Sequence, residues 1–265
     1  MKVKVITVIV FLFPVVLFTN PALASNDLAK MVVVIDAGHG GKDPGASGYF
    51  GDDKKYSATE SAYCYDVALR LERILKKKGA VVIMTTENNS WKIPIANKPN
   101  EVIPANTRAV FTLDDSPVSA GSKAISRRVE IANSALKKPG MLRAVFISIH
   151  FDVLGNGTLE GTRIIAGENA NDLSILLEDE FKNESRVSNS GNSVLKNGDR
   201  SHGIKHLHIL GSTNRVKQKA LIELGNFRNA KDLWRIRDYR VRENYAQIVV
   251  RALIRLNAQP IKRQK

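Results

Sequence analysis

Two short runs of apolar residues, MVVVI at 31–35 and AVFISIH at 144–150, constrain this chain more than any other feature. Neither alternates polar with apolar positions, so each reads as a strand covered on both faces, the kind that builds parallel sheets. Helical patterns fall between the strands. Residues 57–78 place Val67, Leu71, Ile74 and Leu75 on one stripe with Gly79 as a stop, and 122–138 end at Pro139-Gly140. A further helix is expected at 171–184, and a C-terminal one carries Tyr245, Ile248, Val249, Ala252, Leu253 and Leu256 at helical spacing. More strands are expected at 81–85, 161–166, 207–210 and 220–224. The alternation predicts a single-domain α/β fold with a mainly parallel sheet covered by helices on both faces.

The first 24 residues stand outside that pattern. Lys2 and Lys4 precede an apolar run at 5–18 broken only by Thr7 and Pro14, and Ala22-Leu23-Ala24 fits a small-residue cleavage site. The run is shorter than the ~20 residues that span a bilayer, and no cysteine follows it to carry a lipid. It reads as an export signal, leaving residues 25–265 as the working domain, periplasmic or extracellular and without stable membrane insertion. Cys64 is the only cysteine, which excludes disulfides and thiolate metal sites. Forty Lys and Arg against 26 Asp and Glu give a net charge of +14. The basic residues are scattered and not interleaved with stacking aromatics, so no nucleic-acid partner is expected. An anionic polymer of the cell envelope and a merely solvated surface both remain open.

In sheets of this kind, functional groups gather beyond the carboxyl ends of the strands. That rule selects Asp36, His39, His150, Asp152 and Glu223. His39 lies in VVVIDAGHGGKDPGA, which is not a phosphate-binding loop because Asp43 follows Lys42. Glu60 ends Ser57-Ala58-Thr59-Glu60, a capping-box pattern, yet shares the inward stripe of Cys64, Val67 and Leu71. It is therefore either a cap or a partnered buried carboxylate. His150 alone could be a core histidine. Together His39, Glu60 and His150 form the donor set of a catalytic zinc, although their wide spacing does not establish a site. His206 and His208 alternate on the expected 207–210 strand and could bind metal or, with His202, line a groove or the surface. Cys64 reads as a small buried hydrophobe, and Trp91 as a local apolar anchor.

Four segments resemble the zinc-dependent N-acetylmuramoyl-L-alanine amidases of the amidase-3 type, in order across nearly the whole chain after residue 30. VVVIDAGHGGKDPGA is similar to the loop of the first zinc ligand, placing His39. ESAYCYDVALRLERIL resembles the helix that opens with the second, Glu60. SRRVEIANSALKK and AVFISIHFD resemble the R-x-x-x-A-N helix and the S-I-H strand, placing Arg128, Asn133 and the third ligand, His150. ALIELGNFRNAKD resembles the segment of the catalytic glutamate, placing Glu223. The resemblance implies one zinc per chain, peptidoglycan as substrate, and cleavage between N-acetylmuramic acid and L-alanine with Glu223 as general base. It also implies a protein activator as a candidate partner. Rival readings are a zinc peptidase acting within the stem peptide and an inactive wall-binding module. The chain departs from the pattern at Phe151 and Asp152, and at Asn226, which interrupts the family's G-F-L-S-N run. A longer insert at 86–121, containing Pro94, Pro99, Pro104 and Pro117, is a further departure.

Overall fold

The computed structural model describes residues 26–41, 43–50, 56–87, 102–103, 110–111, 121–185, 187 and 194–261. The export segment, Trp91 and most of the 86–121 insert lie outside the described residues. In chain order the strands and helices are β1 (Met31–Ala37), β2 (Ser47–Phe50), β3 (Tyr56–Thr59), α1 (Glu60–Lys77), β4 (Val81–Met84), β5 (Thr86–Glu87), β6 (Val110–Phe111) and α2 (Ser122–Ser134). They continue with β7 (Arg143–Asp152), β8 (Arg163–Ala166), α3 (Asp172–Lys182), β9 (Gln218–Asn226), α4 (Ala230–Arg237) and α5 (Tyr239–Ala258).

The main sheet has the order β4-β1-β7-β9-β8. Its first four strands run parallel, and β8 closes one edge antiparallel to β9. The two faces follow from the period of two along each strand. Val33, Ile35, Val145, Ile147, Ala220 and Ile222 pack under α1, α3 and α5. Val32, Val34, Phe146, Ile165 and Leu221 pack against Val129, Ile131 and Ala132 of α2. Asp36, Ser148, His150, Arg163 and Glu223 continue the alternation on the α2 face, at the carboxyl ends of β1, β7 and β9. Helix α1 is fixed on the opposite face by a buried charge cluster. Asp66 accepts from Arg70 Nε at 2.8 Å and from Arg242 Nε of α5 at 2.6 Å, and all three residues are buried. That anchorage sets where the first residue of α1, Glu60, meets the strand ends.

Two local readings of the sequence are corrected. Ser57 to Thr59 do not begin a helix, because they pair with Ser47 to Tyr49 as a hairpin, β2–β3. Thr59 is the N-cap, its side chain makes no capping bond, and Glu60 is the first helical residue and no capping-box partner. Residues 207–210 are not a strand either. The Asn197 side chain takes both backbone groups of Leu207, donating to its carbonyl at 3.0 Å and accepting from its N–H at 2.6 Å. The chain then turns through a 3-10 segment, His208–Leu210. Helix α4 adds an element that sequence periodicity had not marked. At the insert, β5 and β6 pair with each other, and Ile103 is buried with its N–H donated to Tyr63 Oη at 3.2 Å.

Candidate active site

Three chain segments that are far apart in sequence converge at the carboxyl end of the sheet. His39 comes from the loop after β1, Glu60 from the start of α1, and His150 from the end of β7. One donor atom from each lies within 4.8 Å of the others, and this is the only such group of three or more His, Cys, Asp or Glu among the described residues. His39 Nε2 is 3.0 Å from Glu60 Oε2, and His150 Nδ1 is 3.0 Å from Glu60 Oε1. Each carboxylate oxygen also accepts a backbone N–H, from Ala46 at 2.8 Å and from Phe151 at 3.0 Å. These amides fix the Glu60 carboxylate, so the imidazoles meet a preset acceptor.

The His39 loop is shaped for this purpose. His39 itself has φ 60°, a left-handed conformation uncommon for a residue with a side chain. Gly45 has φ +67°, and a Cβ there would sit 2.6 Å from His39 Cδ2 and 2.7 Å from Glu60 Oε2. Asp43, which the sequence offered only as an argument against phosphate, orients the ring. Its Oδ2 lies 2.9 Å from His39 Nδ1, and its Oδ1 accepts the Gly45 N–H at 3.0 Å. A carboxylate on the outer nitrogen of a ligating imidazole is the usual way to fix its tautomer.

Beneath the loop, Arg128 of α2 donates to Asp36 Oδ1 at 2.5 Å, to the Ala37 carbonyl at 2.6 Å, and to the His39 carbonyl. Asp36 also accepts from Thr85 Oγ1 at 2.6 Å and Ser148 Oγ at 2.5 Å. Burial alone would raise the Asp36 carboxyl, but the Arg128 charge and the two hydroxyls outweigh it and hold it below its ordinary value. Arg128 thus braces the backbone of the first histidine without touching the cluster. Arg128→Met is expected to lower stability by about 3–5 kcal/mol, because it leaves a buried carboxylate without its cation. Chemical denaturation measures this, and a loss below ~1 kcal/mol would mean that the pair contributes little. Asn133 lies away from the cluster. It donates to the Thr213 carbonyl at 2.9 Å and accepts from the Arg215 N–H at 2.8 Å, pinning the loop that follows the 3-10 turn.

Glu223 stands on the same sheet face as His150, its register partner on β7, with Arg163 of β8 in register on its other side. Glu223 Oε2 is buried and accepts no hydrogen bond among the described residues. Burial and the charge of Glu60 push this carboxyl up to about 8, against the pull of Arg163 and His39. Arg163, which sequence reasoning did not connect with Glu223, is itself ion-paired with Asp152. For His39, burial alone would lower the imidazole, but its bonds to Glu60 and Asp43 lift it to about 9. Burial would raise Glu60, and the two histidines pull it below its ordinary range. Such a cluster calls for positive charge, and a divalent ion supplies it while leaving both imidazoles neutral as ligands. Two imidazole nitrogens and a carboxylate oxygen, all within 4.8 Å of one another, are a donor set that suits a divalent ion such as zinc.

The cluster opens onto a cleft of about 270 Å³ between α2 and the 3-10 turn, walled by Ile125, Leu207, His208 and Ile209 and floored by Leu221. His208 therefore lines the groove. His202 is held by Asp199 Oδ2 at 2.9 Å, and neither it, His206 nor His208 joins a metal-type cluster among the described residues. Cys64 is fully buried, and burial raises its thiol well above the ordinary value, which suits an inert core residue.

The family model Amidase_3, N-acetylmuramoyl-L-alanine amidase, matches residues 33–255. The chain belongs to this family. A 66-residue stretch is 39% identical to the probable cell wall amidase LytH of Staphylococcus aureus, covering 25% of this chain and 21% of LytH. The match thus spans about a fifth of that relative's length. The catalytic domain of CwlV, an amidase from Bacillus (Paenibacillus) polymyxa var. colistinus, superposes with a TM-score of 0.58 at 23% identity, over 85% of this chain and 97% of CwlV. The CwlD amidase of Clostridioides difficile, solved in complex with the GerS lipoprotein, gives 0.56 at 19% identity, over 85% and 98%. Both share the amidase fold, a mostly parallel sheet flanked by helices. Among the described residues, no helix is long and apolar enough to cross a membrane.

Proposed function

We propose that the protein is a peptidoglycan hydrolase that cleaves the amide between the lactyl group of N-acetylmuramic acid and L-alanine. His39, Glu60 and His150 would hold one zinc ion, and Glu223 would act as general base. The observation that carries this reading is the unpartnered, buried Oε2 of Glu223, set beside a cluster of two imidazoles and a carboxylate on one sheet face. Two histidines and one glutamate are a protein ligand set of catalytic zinc. Zinc in that position supplies Lewis acidity, which acidifies water and polarises a carbonyl oxygen.

The remaining work falls to the chain. Glu223 Oε2 takes a proton from the attacking water and returns it to the departing alanine nitrogen as the C–N bond breaks. Water supplies the oxygen of the new lactyl carboxyl group and the hydrogen of the new amine. A base that must both accept and return a proton works best with its affinity near the working pH, and burial beside Glu60 moves Glu223 upward in that direction. Asp43 keeps the His39 ring in register, and Arg128 with Asp36 holds the loop against the sheet. Ile125, Leu207 and Ile209 offer an apolar wall to the methyl groups that flank the scissile amide.

The enzyme would work outside the cytoplasmic membrane, where its polymer lies, after export directed by residues 1–24. A protein activator is proposed on the same footing as the GerS lipoprotein that accompanies CwlD. Digestion of purified peptidoglycan, followed by mass spectrometry, tests the bond. New amino termini on L-alanine are the expected result, whereas new termini within the stem peptide would instead identify a peptidase.

A further inference from the structure

Much of the basic surface of this protein is neutralised by its own acids. Arg251 pairs with Glu180 at 2.8 Å, Arg255 with Asp179 at 2.5 Å, Arg73 with Glu243 at 2.5 Å and Lys182 with Glu178 at 2.5 Å. Other basic side chains have no acidic partner among the described residues, and the loop before the 3-10 turn at His208 brings some of these together. Arg200, Lys205 and His206 are exposed, and their side chains make no hydrogen bond or ion pair among the described residues. The acid of this loop, Asp199, is already taken by Ser201 Oγ at 2.5 Å and His202 Nδ1 at 2.9 Å. Arg200 and Lys205, with the imidazole of His206, surround one depression of about 450 Å³, completed by Gly203 and Ile204.

The position of this depression matters as much as its charge. A substituent on Gly203 would lie 3.5 Å from Leu154, two residues beyond the end of β7, the strand that carries His150. From His206 the chain passes directly into Leu207 and His208, which wall the cleft at the His39–Glu60–His150 cluster. Depression and cleft are thus lined by consecutive residues at the same end of the sheet. A ligand reaching from the cluster to the depression would pass along residues 206–208.

We propose that Arg200, Lys205 and His206 form a subsite for the free carboxylates of the peptide arm of the substrate. The inference rests on the amidase reading above. A peptide acylated at its amino end has lost its ammonium charge and keeps its terminal carboxylate, so the arm enters as an anion. Cleavage creates an ammonium group, which lowers the net negative charge of the released peptide and weakens its hold on a cationic subsite. Exposed ion pairs are individually weak. Two charges beside an imidazole donor around one depression act through attraction and orientation of a distant part of the substrate, binding that can be used at the reacting bond.

The test uses two soluble N-acetylmuramoyl peptides that differ only in ending as a free acid or as a carboxamide. Wild-type protein should show a KM about tenfold lower for the acid, and this preference should shrink as salt is raised. The double variant Arg200→Gln/Lys205→Gln should treat the two substrates within about twofold of each other. The exposed pair Lys137→Gln/Lys138→Gln, on the far end of the α2 segment, should keep the wild-type preference. A wild-type enzyme indifferent to the end group, or a double variant that retains the preference, would overturn the subsite. If neither substrate is cleaved, the amidase reading is decided by the peptidoglycan digestion above, and calorimetric titration with the same two compounds decides the subsite alone. Acid-selective binding that is lost in the double variant sustains it, and equal or absent binding overturns it.

Discussion

Glu223→Gln is expected to reduce peptidoglycan cleavage by at least ~10²-fold, the scale for losing a general base, while zinc content and folding are retained. Glu223 lies on β9. Its odd-numbered neighbour Leu221 packs under α2, and the strand period puts Glu223 on that same face, between His150 and Arg163 in register. A carboxylate at a buried position needs hydrogen-bond partners, because leaving it unsatisfied is costly. Glu223 Oε2 has none among the described residues, so this position is not explained by stability. Glutamine keeps the shape and removes both the base and its repulsion with Glu60, so the fold should tolerate it well. Activity and metal content measured on the same sample separate the alternatives. Near-wild-type cleavage would make Glu223 structural. Joint loss of zinc and activity would place it among the groups that build the metal site.

How much of this was legible in the sequence depended on the range of the interactions involved. Residues 31–35 and 144–150 read correctly as buried parallel strands because a strand covered on both faces must be apolar at every position. The capping pattern Ser57-Ala58-Thr59-Glu60 misled because it is local, whereas the pairing with Ser47 to Tyr49 that overrides it is not. That correction matters for function, since a Glu60 freed from capping is the one that meets both histidines. The strand expected at 207–210 failed for the same reason, as Asn197, ten residues upstream, takes the backbone groups a ladder would use. Helix α4 is eight residues long, too short to leave a strong period, although Asn229 caps it. At the site, residue types at strand ends pointed to Asp36, His39, His150 and Glu223, but not to how these meet their supports. Arg128 and Asp36 are 92 residues apart, and neither position alone reveals that they meet. Asp43 stood within the quoted loop throughout, but nothing in the sequence turns its carboxylate towards the ring of His39.

The mature protein is expected to bind about one zinc per chain, and His39→Ala and His150→Ala should each abolish that binding. Each substitution removes one of three donors and leaves two. Each also leaves the Glu60 carboxylate with one imidazole partner where it had two. Glu60→Gln should weaken zinc as well, because the amide is a poor ligand and its single oxygen can accept from only one of the Ala46 and Phe151 N–H groups. A glutamate serving only as a helix cap would predict the opposite pattern, about 1 kcal/mol of lost stability with zinc untouched. Asp43→Asn provides the graded case. It keeps the His39 ring near its place but removes the outer carboxylate, a change that typically costs 10–100-fold in metal affinity. Because zinc would bind the folded chain far better than the unfolded one, chelation should lower the Tm of the wild type. The same treatment should leave the Tm of the His39→Ala and His150→Ala variants unmoved. Elemental analysis after exhaustive dialysis, paired with thermal melts with and without chelator, reads all of these together. Full zinc occupancy in both histidine variants would show that the metal sits elsewhere, and the convergence of β1, α1 and β7 would then need another explanation.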